Sequence, residues 1–214
     1  MVRFALFQLV FWYFSICYAA NAEQTTINRF KSYLSTIKSI AVDFEQSDSN
    51  GESASGKLLI SKPYKFRCNY YSPFPLLIIG NKNYVSVYDY DMETTSRIKP
   101  SDNIFNFLLT NDIDFEKHFR LDSTTENGDM LTVTLYHAPT DRFSEITFNQ
   151  RNQQLQTIEI FEDDNIISLK FANINKISHF ADDLFEFKNP DIFGPPERLT
   201  KEEIEKRLKY ENVQ

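Results

Sequence analysis

The side chains able to do acid–base, nucleophilic or metal chemistry are few in this chain and poorly placed for it. His118, His137 and His179 lie far apart, and none has a partner at ligand spacing. There is no H-E-x-x-H pair, paired-cysteine motif or calcium loop, so no metal site is expected. Asp141, His137 and Ser144 could supply a hydrolase with a triad, but only their proximity in sequence favours it. Gly51-Glu52-Ser53-Ala54-Ser55-Gly56 lacks the Gly-x-Ser-x-Gly spacing of a nucleophile elbow and falls at a hairpin. With five glycines in the whole chain, neither a phosphate-binding loop nor a dinucleotide fingerprint is present. Asp163-Asp164 and Asp182-Asp183 read as solvated turn residues. No cofactor is implied, and the chain reads as a binding protein rather than an enzyme.

The elements that remain are those of an aromatic-rich sheet. From Gly56 to Tyr90 the sequence reads as three consecutive strands. Leu58 and Ile60 alternate with Lys57, Leu59 and Ser61; Phe66, Cys68 and Tyr70 alternate with Arg67, Asn69 and Tyr71; Tyr84 to Tyr90 closes the run. Period-two alternation sends one set of side chains to each face. Pro63 and Ser72-Pro73-Phe74-Pro75 must lie at strand ends or edges, because proline donates nothing to a central ladder.

Before this stretch, Ile27, Phe30, Leu34, Ile37 and Ala41 recur at helical spacing behind Thr25 or Thr26 as N-cap, predicting an amphipathic helix of about four turns. A first strand begins at Val42 to Gln46, and Asn50-Gly51 turns it. Thr94 to Ile98 is another short strand. Ser101 or Asp102 caps a short helix over Ile104 to Leu109, with a weaker helical piece around Phe115 to Phe119. Asn127-Gly128 is the strongest hairpin signal. Strands follow over Leu131–Leu135, Phe143–Phe148, Leu155–Phe161, Ile166–Ile174 and, briefly, Leu184–Phe187. Thr200 and Glu203 form a capping box for a polar helix over Lys201–Tyr210. Its thin stripe, Ile204 and Leu208, predicts loose attachment. The sum is about ten or eleven antiparallel strands with a few short helices: mainly β with α, in one domain.

Met1-Val2-Arg3, the apolar run Phe4 to Tyr18 and Ala20-Asn21-Ala22 read as a secretory signal peptide, residues 1–22, cleaved after Ala22. Residues 23–194 then form the main domain and 195–214 a C-terminal extension. Cleavage leaves Cys68 as a lone thiol that cannot pair within the chain. The net charge of −7 and the absence of a basic run argue against nucleic acid, whose affinity rests on phosphate neutralisation. A curved sheet with an apolar concave face and helices across its mouth is a natural hollow for a hydrophobic ligand.

The chain resembles the outer-membrane lipoprotein carrier (LolA) family over about residues 26–190. The resemblance rests on the first helix, ending near Ile40, then Phe44-x-Gln46 and Gly56-x-Leu58-x-Ile60-x-Lys62-Pro63-x-x-Phe66-Arg67, with Tyr70 and Pro73 beyond. Ile79-Gly80-Asn81, Val85, Tyr88 and Phe185-x-Phe187-x-x-Pro190 follow in order. It implies a half-open antiparallel β-barrel covered by a lid of short helices. Such a protein carries acylated lipoproteins through the periplasm of a Gram-negative bacterium as a monomer. It is loaded by an inner-membrane ABC-type lipoprotein releasing complex and unloads to an outer-membrane lipoprotein acceptor. Where the family typically has a lid-closing arginine this chain has Lys62, a point charge without arginine's planar fork. Phe66 matches the family's pocket aromatic. Leu58, Ile60, Tyr70 and Tyr88 are expected to line the cavity with it. Phe30, Leu34 and Ile37 on the first helix, and Phe105, Leu108 and Leu109 on the second, are expected on the inner side of the lid. A lipoprotein-sensing regulatory domain of the same half-barrel is the alternative, and a periplasmic hydrolase a more distant one.

Overall fold

A computed structural model of the chain describes residues 25–110 and 118–211. The expected signal peptide and residues 115–117 of the expected second helical piece lie outside the described residues. Of that piece, His118 stands in a turn and Phe119 opens a strand.

Helix α1 (25–36) leads into β1 (Ser39–Asp48), β2 (Ser53–Ser61), β3 (Lys65–Tyr70), β4 (Leu76–Gly80), β5 (Val85–Asp89) and β6 (Thr94–Ile98). A 3-10 turn (Pro100–Asp102) and the one-turn helix α2 (Asn106–Leu109) follow. Then come β7 (Phe119–Asn127), β8 (Met130–His137), β9 (Arg142–Asn149), β10 (Gln154–Glu162) and β11 (Asn165–Lys176). A 3-10 turn (Asp182–Phe185), α3 (Pro190–Phe193) and α4 (Lys201–Glu211) complete the chain.

All eleven strands form one sheet in the order β6-β5-β4-β3-β2-β1-β11-β10-β9-β8-β7. Every neighbouring pair is antiparallel. Two meanders grow outward from a central β1–β11 pair, in which Phe44 faces Phe171 and Gln46 faces Leu169. The sheet stays open: β6 and β7 are its edges, and the segment carrying α2 runs from one to the other.

Local chemistry explains most of the boundaries. The β7–β8 hairpin turns at Asn127-Gly128, where Gly128 takes φ +60°, and the β1–β2 turn uses Gly51 at φ +87°. In β8, Leu131, Val133 and Leu135 are buried while Thr132, Thr134 and Tyr136 are partly exposed, the signature of a half-buried strand.

Several expectations need correction. Four strands, not three, run from β2 to β5. Leu76-Leu77-Ile78-Ile79-Gly80 shows no polar alternation because Leu77 and Ile79 are buried on one face while Ile78 packs into the core of the other. Helix α1 ends at residue 36, and Ala41 belongs to β1, where its side chain faces the opposite way from Val42. Asp102 lies inside a 3-10 turn rather than capping a helix, and the Asn103 side chain accepts from the Phe105 N–H instead. Leu184 and Phe185 lie in a 3-10 turn packed on the sheet, not in a strand.

The convex face of β1–β3 is covered by the C-terminal part of the chain. Phe180, Leu184, Phe185, Leu199, Ile204 and Leu208 bury themselves against Ala41 and Leu59. Outward-facing polar side chains fix this layer. The buried Arg67 guanidinium donates to Asn69 Oδ1 (3.0 Å) and to the Leu184 carbonyl (3.2 Å), while Lys57 Nζ pairs with Asp43 at 2.8 Å. The capping box of α4 forms in both directions: Thr200 N–H donates to Glu203 and Glu203 N–H to Thr200 Oγ1. Ile204 and Leu208 are both buried, so α4 is docked, not loosely attached as its narrow stripe suggested.

Candidate functional site

Register brings the inward-facing residues of many strands to one hollow. Its walls include Phe44 of β1, Leu58 and Ile60 of β2, Phe66, Cys68 and Tyr70 of β3, Ile78 of β4, Val85 of β5, Ile160 of β10, and Ile167, Leu169 and Phe171 of β11. Ile104, Phe105, Leu108 and Leu109 come from the segment that bridges the sheet edges. Ile98 of β6 and Arg142 of β9 line the same space, so the sheet must curl around it. The cavity measures about 460 Å³, within the roughly 300–1,000 Å³ typical of ligand sites. Its polar groups are few: Gln46 with the Tyr70 hydroxyl, Asp102, Asn103 and the ion pair Arg142–Glu162 (2.6 Å). Burial pushes the Cys68 thiol well above its ordinary range, so it stays neutral and serves as apolar wall.

Two glycines make room for the aromatic lining. Phe44, Gly56 and Tyr70 stand in register across β1, β2 and β3. A Cβ on Gly56 would lie 2.6 Å from the Phe44 ring; without one, Phe44 and Tyr70 meet edge to face at 5.0 Å. Gly80 is paired with Phe66, whose ring covers it so closely that a Cβ there would lie 1.9 Å from Cε1. The position of Phe66 is thus set from β4.

The concave face is not hollow throughout. Over β8 and β9 it is filled by α1: Tyr33 stacks on Phe148 at 4.6 Å, and Phe30 lies 6.0 Å from Phe148 and 6.4 Å from Phe107. Phe30 and Leu34 therefore belong to solid core and do not line the large cavity. Ile37 lines a smaller pocket of about 130 Å³ beside it, which shares Leu58, Ile60, Leu108 and Phe171 with the main space. Phe105, Leu108 and Leu109 face the main cavity directly, so its roof is α2 and its flanks rather than α1. Tyr88, expected in the lining, lies outside it. It packs with Leu77 and Ile79 on the opposite face, because alternation along β5 turns Val85 inward and Tyr88 out.

One turn holds both helices. Lys62 Nζ donates to the Leu34 carbonyl at 2.8 Å and Lys62 N–H to the Lys38 carbonyl at 2.8 Å, tying the end of α1 to the β2–β3 turn. Two residues on, Tyr64 N–H donates to the Leu109 carbonyl at 2.8 Å, tying the end of α2 to the same turn. The Leu34 carbonyl also accepts from the Ile37 N–H at 3.2 Å, and a cation beside the carbonyl end of a helix is well placed electrostatically. Its partial burial costs it charge, and the amine is held down at about 8. The backbone half of this clasp left no signal in side-chain patterns.

The hydrolase candidates do not converge. Ser144 Oγ is fully buried and without a hydrogen-bond partner, His137 Nδ1 lies 2.7 Å from Thr140 Oγ1, and Asp141 accepts from the Tyr136 hydroxyl at 2.8 Å. Sequence reasoning missed Ile78, Leu169 and Phe171 as walls. The alternation of Leu169 and Phe171 was visible, but which face turned inward was not, and Ile78 lies in a strand without a legible period.

Comparison with known proteins adds the following. The family model described as outer membrane lipoprotein carrier protein LolA matches residues 35–188. A protein of Rickettsia prowazekii described as uncharacterized is 58% identical over 181 residues, 85% of this chain and 85% of the relative. The outer-membrane lipoprotein carrier protein of Methylococcus capsulatus is 24% identical over 189 residues, 82% of this chain and 91% of the relative. That of Chromobacterium violaceum is 28% identical over 149 residues, 66% and 72%. The crystal structure of a LolA superfamily protein from Nitrosomonas europaea aligns with 77% of this chain and 97% of its own, at 10% identity and a TM-score of 0.46.

Proposed function

This chain belongs to the LolA family of outer membrane lipoprotein carriers, and on that footing we propose that it shelters the acyl chains of lipoproteins in transit across a Gram-negative periplasm. It takes cargo from an inner-membrane ABC-type releasing complex and yields it to an outer-membrane acceptor. The observation that carries this reading is the 460 Å³ hollow with aliphatic and aromatic walls and a roof of short helical pieces. Each buried methylene contributes about 0.8 kcal/mol, so exposing a chain of about 16 carbons costs more than roughly 10 kcal/mol. Free passage through water is therefore negligible without a cover. The cover must also open, and α2, a single turn of four residues, is the piece that must lift, taking the buried Phe107, Leu108 and Leu109 with it. The clasp at Lys62 and Tyr64 would hold that cover between loading and release.

The test is co-purification of the mature protein with an acylated lipoprotein and with its delipidated form. The acylated form alone should be retained. In Phe66→Glu, a carboxylate set in the apolar wall should weaken retention by at least about tenfold while the fold survives. Equal retention of the two cargo forms would sink the carrier reading. Retention by a lipoprotein-bound form that never passes its cargo to acceptor membranes would favour the sensing role.

A further inference from the structure

The main cavity adjoins a second, smaller pocket across a shared wall. On the inner side stand Cys68, Ile78 and Leu169. On the outer side the second pocket, of about 250 Å³, is lined by Asp48, Glu52 and Asn165 together with Ala54, Phe74 and Leu76. Gln46, Tyr70 and Ile167 line both. The Tyr70 hydroxyl donates to Gln46 Oε1 at 2.8 Å, and its ring is braced edge-on by Phe44 across the glycine step at Gly56.

We propose that the Tyr70–Gln46 pair is the end-stop that fixes how long an acyl chain the cavity accepts, an inference that rests on the carrier reading above. A chain tip that reaches Tyr70 has buried all the methylenes the apolar walls can cover. To advance, it must break a hydrogen bond in a largely buried place, which leaves a polar group unsatisfied. It must then enter a smaller pocket that carries two carboxylates and whose Phe74 is already 48% exposed to water, so further methylenes are only partly covered. Burial also keeps the phenol neutral, so it remains a donor at any ordinary pH. Affinity should therefore climb by about fourfold per added methylene up to one length and then level off.

The experiment measures displacement of an environment-sensitive fluorescent fatty acid from the full mature chain by saturated fatty acids of about 8 to about 20 carbons, a range over which the methylene increment is well resolved. Wild type, Tyr70→Ala and Tyr70→Leu are compared. The expected wild-type curve is steep and then flat, with the break moved to longer chains by several methylenes in Tyr70→Ala. If that variant does not fold, Tyr70→Leu, which keeps an apolar side chain but loses the ring tip and hydroxyl, should still move the break. A break at the same length in all folded proteins, or a wild-type curve that climbs without one, overturns the stop while leaving the carrier reading intact. Failure of every acid to displace the probe from wild type sinks both.

Discussion

Gly80→Ala offers a direct test of how the cavity is shaped. The added Cβ would lie 1.9 Å from Phe66 Cε1, 2.6 Å from Cζ and 2.7 Å from Cδ1. Ordinary carbon contacts are about 3.5–4.0 Å, so the ring must move by roughly 1.5–2 Å. Phe66 is 8% exposed, and its ring already lies against β4. The free direction is into the cavity. Overpacking of this kind costs about 1–3 kcal/mol. At about 2–4 °C per kcal/mol for a domain of this size, the midpoint of thermal unfolding should fall by roughly 2–12 °C. Binding of a single acyl chain should weaken in parallel, because the displaced ring occupies the space that chain needs. Shortening the ring removes the clash, so Gly80→Ala with Phe66→Leu should recover most of both losses, and a double-mutant cycle should show strong coupling between the two sites. Thermal melts read the stability and fluorescent fatty-acid titration reads the cavity. Additive effects of the two substitutions would refute the reasoning, as would a Gly80→Ala protein that binds like wild type.

Three further outcomes follow from the clasp and the C-terminal layer. Lys62→Met removes the side-chain bond to Leu34 and should raise amide exchange in the last turn of α1 by about fivefold or more, the scale of one modest hydrogen bond beside a helix terminus; unchanged protection would show that the backbone bonds suffice. The Lys62 amine titrates at about 8 instead of 10.5 because burial disfavours its charge, so between those values the unfolded chain holds the proton that the folded chain has released. This site should therefore add stability as pH rises from about 8 to 10.5, seen as a difference in unfolding free energy between wild type and Lys62→Met that changes with pH in that direction; a flat difference contradicts it. Thr200→Ala should cost about 1 kcal/mol through loss of the α4 capping box and expose Ile204 and Leu208 to faster exchange, and protection equal to wild type would rule the cap out as what docks α4.

How much of this was legible beforehand can be traced to particular residues. Alternation along Leu58-Ile60 and Phe66-Cys68-Tyr70 needs only the two-residue period of a strand, and the turns at Asn50-Gly51 and Asn127-Gly128 need only local backbone preference; both could be read from the chain. So could the Thr200–Glu203 cap, whose partners are three residues apart. Leu76 to Gly80 hid as a strand because burial on both faces erases the period, and Ala41 joined the helical pattern through a spacing that continued by coincidence into β1.

Other features depended on pairing between distant segments. Whether Val85 or Tyr88 faces the hollow is decided by the register of β5 on β4, to which alternation alone is blind. Gly56 and Gly80 matter because pairing sets the Phe44 ring and the Asn69 carbonyl against the first and the Phe66 ring against the second. That α1 fills one half of the concave face while α2 roofs an empty half follows from how Phe30 and Tyr33 meet Phe148 across the fold. The amino-acid order by itself determined which side chains share a strand face and where the chain turns, since those are short-range properties of the backbone. The cavity, its end wall and its clasp were decided only when long-range pairing brought the faces together, because an empty space is a property of what surrounds it and no single segment encodes its edges.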